Sequence, residues 1–303
     1  MTWEGILPVY KPEGFTSHDV VAKMRRILGM KRIGHTGTLD PSVTGVLPLC
    51  LGRATRLVEY IQELPKEYEA TLQIGIATDT EDATGTIIEQ AEQVQLEEGQ
   101  VIRVLESFVG SIRQVPPMYS AVRVNGKRLY ELAREGKEVE RKSREVYIYS
   151  ISDVYMDLSL RFPEVRFKVK CSKGTYIRTL CVDIGKKLRY PATMKRLVRS
   201  STGAIGLEQC ITLEEAAKLV QKGLLHEKLI PMDQAVFHLP KVQLTAVQSG
   251  NALQGKKITL ISVLSVGVSG EKLFRAYGPN DKFLGIFEWK CDQHLLQPVK
   301  VFL

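Results

Sequence analysis

One short stretch of the chain combines an imidazole and a carboxylate with residues that rarely form regular structure. It runs from Gly34 to Pro41 with the sequence Gly-His-Thr-Gly-Thr-Leu-Asp-Pro, and it contains His35 and Asp40. Asp40 precedes a proline, which disfavours helical angles and keeps the aspartate backbone extended. A stiffly held carboxylate on a loop is suited to acid–base or nucleophilic chemistry, although Asp-Pro is also common in simple turns.

Two further stretches carry side chains of chemical interest. Tyr68 opens the clearest alternating strand of the chain, residues 67–76, where a tyrosine usually packs half-buried with its hydroxyl hydrogen-bonded. Tyr176 and Arg178 lie where a second alternating strand passes into an amphipathic helix. An arginine at such a junction is often a surface cap or a phosphate ligand. Residue types alone therefore leave structural and functional interpretations open.

Alternating and helical patterns predict the elements that position these residues. Strands are expected at residues 5–10, 67–76, 146–148, 165–171 and 195–203, and helices at 17–28, 54–61, 96–109 and 177–188. We expect Ser17 to cap the first helix and Gly110 to end the third. Thr212 and Glu215 form a capping box for a later helix. The acidic segment Thr78–Asp82 is interpreted as a turn.

A basic arm lies between these elements, at about residues 114–144. From Arg123 to Arg144 there are eight Lys or Arg and four Glu, a net charge of 8 − 4 = +4, with Tyr119 and Tyr130 beside or among them. Asn125-Gly126 is a strong hairpin signal. A protruding basic hairpin with aromatic residues suits a folded RNA loop, and an ordinary solvated arm is the competing interpretation.

Composition excludes several classes of protein. The chain has 303 residues, 42 Lys plus Arg and 34 Asp plus Glu, so its net charge of +8 favours polyanionic partners. No apolar run approaches the roughly 20 residues that span a bilayer, and the N-terminus lacks a basic segment typical of a signal peptide. Five widely spaced cysteines form no metal-binding pattern and predict free thiols in a cytoplasmic protein.

The character of the sequence changes near Leu239. Short β-like segments separated by Gly, Asn and Pro follow, including one around Val263, and the region 239–303 carries eight Lys or Arg and four Asp or Glu, again +4. We interpret residues 1–238 as one domain and residues 239–303 as a small β-barrel domain.

Three motifs in order resemble the TruB family of tRNA pseudouridine synthases. The first is the Gly34–Pro41 stretch, which continues through Thr-Gly-Val-Leu-Pro to Gly-Arg-Ala-Thr at residues 52–55. The second is Lys-Glu-Tyr at residues 66–68, and the third is Lys-Gly-Thr-Tyr-Ile-Arg at 173–178. A Lys-Pro-x-Gly-x-Thr-Ser opening at 11–17 also matches, and the resemblance covers nearly all of residues 5–205.

The resemblance implies a role for each matched residue. Asp40 is expected to be the catalytic carboxylate, paired with Arg178, and Tyr68 to act on the flipped base. His35 would fill the space that the base leaves. Tyr176 and Leu197 would line the base pocket, while Lys11, Arg123 and Lys127 would bind substrate. The reaction is an isomerisation, so neither a cofactor nor a metal is expected.

The resemblance also implies the architecture and the partner. The fold class is α+β, with a mixed, largely antiparallel sheet flanked by helices, a basic thumb that grips RNA, and a C-terminal PUA-like domain that binds RNA. The substrate would be uridine 55 in the T loop of tRNA, modified by a monomer without an obligate protein partner. A non-catalytic tRNA-folding protein and a subunit of a guide-RNA-directed complex are the alternatives. A cysteine-dependent enzyme lacks a convincing Cys/His pair.

Overall fold

The protein is described from a computed structural model, which covers residues 3–124, 126–137, 139–260 and 272–302. The strands are β1 (Gly5–Lys11), β2 (Ile33–His35), β3 (Thr44–Leu51), β4 (Lys66–Ile74), β5 (Ile76–Thr78), β6 (Ile87–Gln90), β7 (Gly110–Gln114), β8 (Arg123–Val124), β9 (Lys127–Arg128), β10 (Arg144–Asp157), β11 (Glu164–Cys171), β12 (Ala192–Thr202), β13 (Ile205–Gly206), β14 (Lys241–Gln243), β15 (Ile258–Thr259), β16 (Leu273–Tyr277), β17 (Phe283–Lys290) and β18 (Leu295–Val301). The α-helices are α1 (Ser17–Leu28), α2 (Val58–Glu63), α3 (Glu98–Glu106), α4 (Leu129–Arg134), α5 (Ile177–Leu188), α6 (Leu213–Gln221) and α7 (Ala246–Leu253).

A nine-stranded sheet supplies the framework of the N-terminal part. Seven strands follow the order β1-β3-β12-β4-β11-β10-β7, with β2 beside β3 and β13 beside β12. The pairing of β3 with β12 is parallel and the other pairings in this sheet are antiparallel. β1 ends the order, which suits Pro8 because proline cannot donate a hydrogen bond to a second neighbour.

The order of the strands brings the three sequence motifs together. The loop that carries Asp40 connects β2 to β3, Tyr68 lies near the start of β4, and Arg178 follows β11 in the first turn of α5. β12 lies between β3 and β4, and β11 is the other neighbour of β4. All three motifs therefore meet near the middle of one sheet.

The N-cap of helix α1 lies one residue earlier than predicted. Thr16 is the N-cap and forms a capping box with Asp19: the Thr16 hydroxyl accepts from the Asp19 amide at 3.0 Å, and the Asp19 carboxylate accepts from the Thr16 amide at 2.9 Å. The prediction of Ser17 as the cap is wrong because the neighbouring threonine has the acidic partner three residues on. Ser17 is buried and its hydroxyl is free to bind elsewhere.

Helix α3 also ends earlier than predicted. Its C-cap is Ser107, and Gly110 instead opens β7 opposite Ile148. The prediction of Gly110 as the cap is wrong because this glycine, with φ of +111°, starts a strand. The capping box at Thr212 and Glu215 is confirmed at the start of α6.

Gly45 marks the closest approach within the sheet. It lies opposite Arg199 in the parallel β3–β12 pair and has φ of +111°. A Cβ atom at Gly45 would lie 2.2 Å from the Arg199 carbonyl oxygen and 2.8 Å from its amide nitrogen. Only glycine therefore lets β12 approach the strand that follows the Asp40 loop.

Substituting Gly45→Ala is expected to lower the free energy of unfolding by about 2 kcal/mol more than Gly110→Ala does. Gly110 is a matched control because its φ is also +111°, yet nothing lies within 4 Å of an added Cβ. Both alanines share the backbone strain, so the difference isolates the clash with β12. Urea unfolding measures this difference in the free energy of unfolding. Equal losses for the two variants would mean that β3 and β12 can move apart at Gly45 without loss of stability.

The C-terminal part forms its own five-stranded sheet in the order β14-β16-β17-β18-β15. One apolar cluster inside it includes Phe274, Leu284 and Phe287. A second cluster joins Val46 and Ile61 of the first part to Ile286 and Phe302 of this one. The strand predicted around Val263, like Asn125 of the predicted hairpin turn, lies outside the described residues. Among the described helices, none is long and apolar enough to cross a membrane.

Candidate active site

The loop between β2 and β3 is anchored from several sides. Ser17 on α1 accepts a hydrogen bond from the Leu39 amide at 2.9 Å. The Gly14 amide donates to the Pro41 carbonyl at 2.9 Å, and the Thr36 amide donates to the Pro48 carbonyl at 3.2 Å. These bonds fix the backbone on both sides of Asp40, so the carboxylate is held in place before any ligand arrives.

Lys11 anchors the same loop through its ammonium group. Its side chain is fully buried, with 0% exposure. The ammonium donates to the carbonyls of Phe15 at 2.5 Å, Pro12 at 2.9 Å and Pro41 at 3.2 Å. An ammonium enclosed by three carbonyls does not fit the predicted direct contact with substrate. Lys11 instead supports the residue that follows Asp40.

Asp40 and Arg178 form an ion pair at the centre of the site. The Nη2 atom of Arg178 lies 2.9 Å from Oδ2 of Asp40. Arg178 is 5% exposed, whereas the Asp40 side chain is 38% exposed. The sequence thus predicted two residues, distant along the chain, that the structure brings into contact. The buried guanidinium offers its charge to a carboxylate that remains open to a ligand.

The other contacts of Arg178 come from two segments. Its Nη1 atom donates to the Thr80 carbonyl at 2.9 Å, and its Nη2 atom donates to the Tyr119 carbonyl at 2.7 Å. The buried Asp82 carboxylate lies 4.0 Å from its Nε atom. The interpretation of Thr78–Asp82 as only a turn is therefore incomplete, because folding brings this turn against the ion pair. No local sequence signal distinguished it from a capping turn.

The surroundings of Asp40 act on its pKa in opposite directions. Burial raises the pKa of Asp40 above its ordinary value, and the neighbouring Asp82 carboxylate adds to this rise. The charge and hydrogen bond of Arg178 oppose the rise. Desolvation is the largest of these effects, so the carboxylate is more basic than a solvated aspartate.

The carboxylate opens into a cavity of about 380 Å³. Its wall includes Tyr68 from β4, Leu197 from β12 and Tyr176 from the start of α5. Tyr68 is half-buried, and burial raises the pKa of its hydroxyl. Two aromatic rings and a leucine beside an ion pair form a slot whose walls are flat and apolar and whose floor is charged. This shape and chemistry suit a planar heterocycle.

Tyr176 is held by two residues that the sequence did not indicate. The buried Gln114 side chain donates to the Tyr176 carbonyl at 3.1 Å and accepts from the Tyr176 amide at 3.0 Å. The Arg144 guanidinium lies 4.8 Å from the centre of the Tyr176 ring. Gln114 therefore fixes the backbone two residues before Arg178, and both partners come from the two ends of the basic arm.

Besides Lys11, three predicted residues lie outside this cavity. His35 ends β2 half-buried, and its Nδ1 atom accepts from the Gly37 amide at 3.4 Å. Burial lowers the pKa of His35, which favours the neutral ring. Arg123 and Lys127 are exposed on the β8–β9 hairpin, where Lys127 pairs with Glu135 at 3.1 Å. Their predicted contact with substrate stays a prediction.

A larger cleft, of about 1060 Å³, lies mainly on the opposite face of the sheet. Thr71, Arg166 and Arg196 line it and are register partners on adjacent strands. They alternate with Ala70 and Leu197, which face the core that carries the ion pair. The large cleft contains neither Asp40 nor Tyr68, so the smaller cavity is the better candidate for chemistry. In the part of the chain that is described, no group of three or more His, Cys, Asp or Glu side chains could hold a metal ion.

Two family models together match residues 25–237 of the chain. The model described as "TruB family pseudouridylate synthase (N terminal domain)" matches residues 25–177. The model described as "tRNA pseudouridylate synthase B C-terminal domain" matches residues 178–237.

Curated relatives match over most or all of the chain. A Bacillus pumilus protein named "tRNA pseudouridine synthase B" is 42% identical, with 98% of this chain and 97% of the relative covered. A Halalkalibacterium halodurans protein of the same name is 51% identical, with 80% of this chain and 81% of the relative covered.

Solved structures share the fold. A chain of a Cbf5-Nop10-Gar1 complex superposes with a TM-score of 0.76 at 28% identity, covering 99% of this chain and 85% of its own. A chain of an H/ACA RNP "bound to a substrate RNA containing 2'-deoxyuridine" gives 0.72 at 26% identity, covering 99% and 85%. The predicted fold class, a largely antiparallel mixed sheet with helices and a small C-terminal β domain, is confirmed.

Proposed function

This chain belongs to the TruB family of pseudouridylate synthases, and from that premise we propose that it converts uridine 55 in the T loop of tRNA to pseudouridine. The observation that carries the proposal is the 2.9 Å ion pair between Arg178 and Asp40 at the floor of a cavity with aromatic walls. The reaction breaks the bond between N1 of uracil and the ribose, turns the base, and joins C5 to the same sugar carbon.

Asp40 supplies the carboxylate that each route to breaking the glycosidic bond requires. Those routes are attack on the ribose carbon, attack on the base, and proton removal at the sugar. Arg178 favours the ionised form and fixes which oxygen faces the cavity, since it holds Oδ2 at 2.9 Å. The anchored loop prevents the carboxylate from turning away.

The cavity would hold the uracil after it leaves the stacked RNA loop. Tyr68, Tyr176 and Leu197 supply flat apolar surface against which the detached base can turn without escaping. Tyr68 lies in the same wall and carries the hydroxyl that would move the C5 proton. His35, which ends β2 directly before the Asp40 loop, would occupy the gap that the flipped nucleotide leaves.

Binding of RNA would rest mainly on the basic arm and the C-terminal sheet. Arg123 and Lys127 are exposed on the arm, and Val122 beside them lines the cavity. Phosphate contacts from such residues make binding weaken as salt rises. We assign residues 1–238 to catalysis and 239–303 to a PUA-like RNA-binding domain, acting as a monomer in the cytoplasm without an obligate protein partner.

The first test is tritium release from tRNA transcripts labelled at C5 of uracil. The protein alone should release tritium from the normal transcript and not from one that carries cytidine at position 55. Tight tRNA binding with no release would favour a tRNA-folding protein. Release that requires added proteins and a guide RNA would favour a guide-directed subunit, the arrangement of the H/ACA complexes that share this fold.

Gln114→Ala should lower the rate of the chemical step by roughly 10- to 100-fold, because the backbone of Tyr176 loses both of its hydrogen bonds to Gln114 and Arg178 shifts with it. Gln114→Glu is the matched control, since its carboxylate still accepts from the Tyr176 amide but no longer donates to the carbonyl. We expect its loss to be smaller. Single-turnover tritium release with saturating enzyme measures both, and a change in tRNA affinity alone would contradict a positioning role.

A further inference from the structure

Arg199 on β12 is a large buried cation behind the catalytic cavity. It is 2% exposed, its Nε atom donates to the Val46 carbonyl at 2.6 Å, and its Nη2 atom donates to the Gly37 carbonyl at 3.4 Å. Among the described residues it forms no ion pair with a carboxylate, whereas Arg178 has Asp40. Burying an arginine without an anionic partner is costly.

The groups around Arg199 increase that cost. Lys66 is also buried in the same wall, and burial together with the charge of Arg199 lowers the pKa of Lys66 to about 8. The Lys66 ammonium is already bound to the carbonyls of Gln62 and Leu64. Two buried cations thus line the same cavity wall, and among the described residues neither forms an ion pair with a carboxylate.

The ionisable hydroxyl group of Tyr68 lies on the strand next to Arg199. The two residues are register partners on the antiparallel strands β4 and β12, and both line the cavity. Burial raises the pKa of Tyr68, while the positive charge of Arg199 opposes that rise. The other groups acting on Tyr68 are Cys171 and Asp40, and both disfavour ionisation of the phenol.

We propose that Arg199 is the positioning residue for Tyr68, holding the phenol in the cavity wall and supplying the positive charge that a Tyr68 phenolate requires during proton transfer. This inference rests on the proposed function. The Tyr68 phenolate, which exists only during the reaction, would be the anionic partner of the buried Arg199 cation. Such an arrangement stabilises a transient charge without stabilising the resting state.

In the proposed reaction Tyr68 first gives a proton to uracil and later receives one back. When the glycosidic bond breaks, N1 of uracil keeps the electron pair, and the Tyr68 phenol gives its proton to N1. The phenolate is then paired with Arg199. After C5 joins the ribose carbon, the C5–H bond breaks, its electrons restore the C5–C6 double bond, and the proton passes to the phenolate. Tyr68 is restored, and the net change moves one proton from C5 to N1.

The test compares Arg199→Met, which removes the charge, with Arg199→Lys, which keeps it. Pseudouridine formation is followed in single turnovers with tRNA carrying hydrogen or deuterium at uracil C5, and filter binding measures tRNA affinity. We expect Arg199→Met to slow the reaction by roughly 10²- to 10³-fold and to increase the C5 deuterium isotope effect above that of the unchanged protein. Arg199→Lys should retain more rate and show a smaller isotope effect.

A rescue experiment separates charge from packing. Replacing Tyr68 by 3-fluorotyrosine makes the phenol more acidic, and this should speed the Arg199→Met protein but not the protein with Arg199 intact. A slower Arg199→Met protein with an unchanged isotope effect and no rescue would overturn the proposal. If the methionine variant does not fold, the isotope effect of Arg199→Lys decides alone. No pseudouridine from the unchanged protein would instead refute the proposed function.

Discussion

Asp40→Asn should abolish pseudouridine formation, with a loss on the order of 10⁴-fold or more, while the protein still folds and binds tRNA. The amide has nearly the shape of the carboxylate and its oxygen can accept from Arg178, so the ion-pair geometry is largely kept. It cannot act as a nucleophile or as a base. Tritium release measures the loss, and filter binding with thermal unfolding verifies the folded complex.

Asp40→Glu is the companion variant, because it keeps the charge and moves it by one methylene. The anchored loop holds the backbone, so the longer side chain displaces the carboxylate, and we expect a smaller loss, near 10²-fold. Substantial release by the asparagine variant would contradict the catalytic assignment. Such a result would mean that Asp40 only neutralises Arg178.

The pH dependence of the rate should report the ionisation of Asp40. Activity needs the ionised form, so the rate of the chemical step falls as the pH falls through the pKa of Asp40 in the folded protein. Burial raises this pKa above its ordinary value of 3.8, so the acid limb should lie above that of a solvated aspartate. Single-turnover rates across the acid range locate the limb.

Arg178→Met should reduce the rate by roughly 10³-fold and move the acid limb to higher pH. The guanidinium opposes the rise in the pKa of Asp40, so its removal leaves desolvation and Asp82 opposed only by the smaller effect of the Lys11 charge. The carbonyls of Thr80 and Tyr119 also lose their donor. Arg178→Lys should recover little, because one ammonium cannot reproduce the planar set of donors that reaches these oxygens and Asp40.

Arg166→Met is the matched control for that experiment. It removes the same charge from an exposed position on β11, on the opposite face of the sheet from the ion pair. Its pH–rate profile should coincide with that of the unchanged protein. If Arg178→Met lowers the rate without shifting the acid limb, Arg178 does not control the ionisation of Asp40.

Local patterns predicted the elements of this fold better than their ends. Alternation identified β4 and β11, and periodicity identified α5, because each is a half-buried segment with a regular apolar face. The cap of α1 was misplaced because Ser17 and Thr16 are equally suitable in isolation, and the difference lies in the Asp19 side chain. Gly110 was misread because a glycine after a helix usually ends it, whereas here it begins a strand.

The residues of the site also differ in how far the sequence could identify them. Asp40, Tyr68 and Arg178 belong to compact motifs, so the family resemblance identified them directly. Gln114 and Arg199 carry no such signal, because their roles depend on which strands become neighbours after folding. For Lys11 the family motif predicted a role, and only the structure reveals that its ammonium is buried against backbone carbonyls.

The apolar cluster that joins Val46 and Ile61 to Ile286 and Phe302 has a consequence for how the protein unfolds. Each part supplies side chains to a core that neither completes alone, and Arg56 and Lys300 reinforce the contact through Val301 and Glu59. The two parts should therefore melt as a single cooperative unit. Loosening the C-terminal sheet would then weaken the support of β3, the strand that leads directly from the Asp40 loop.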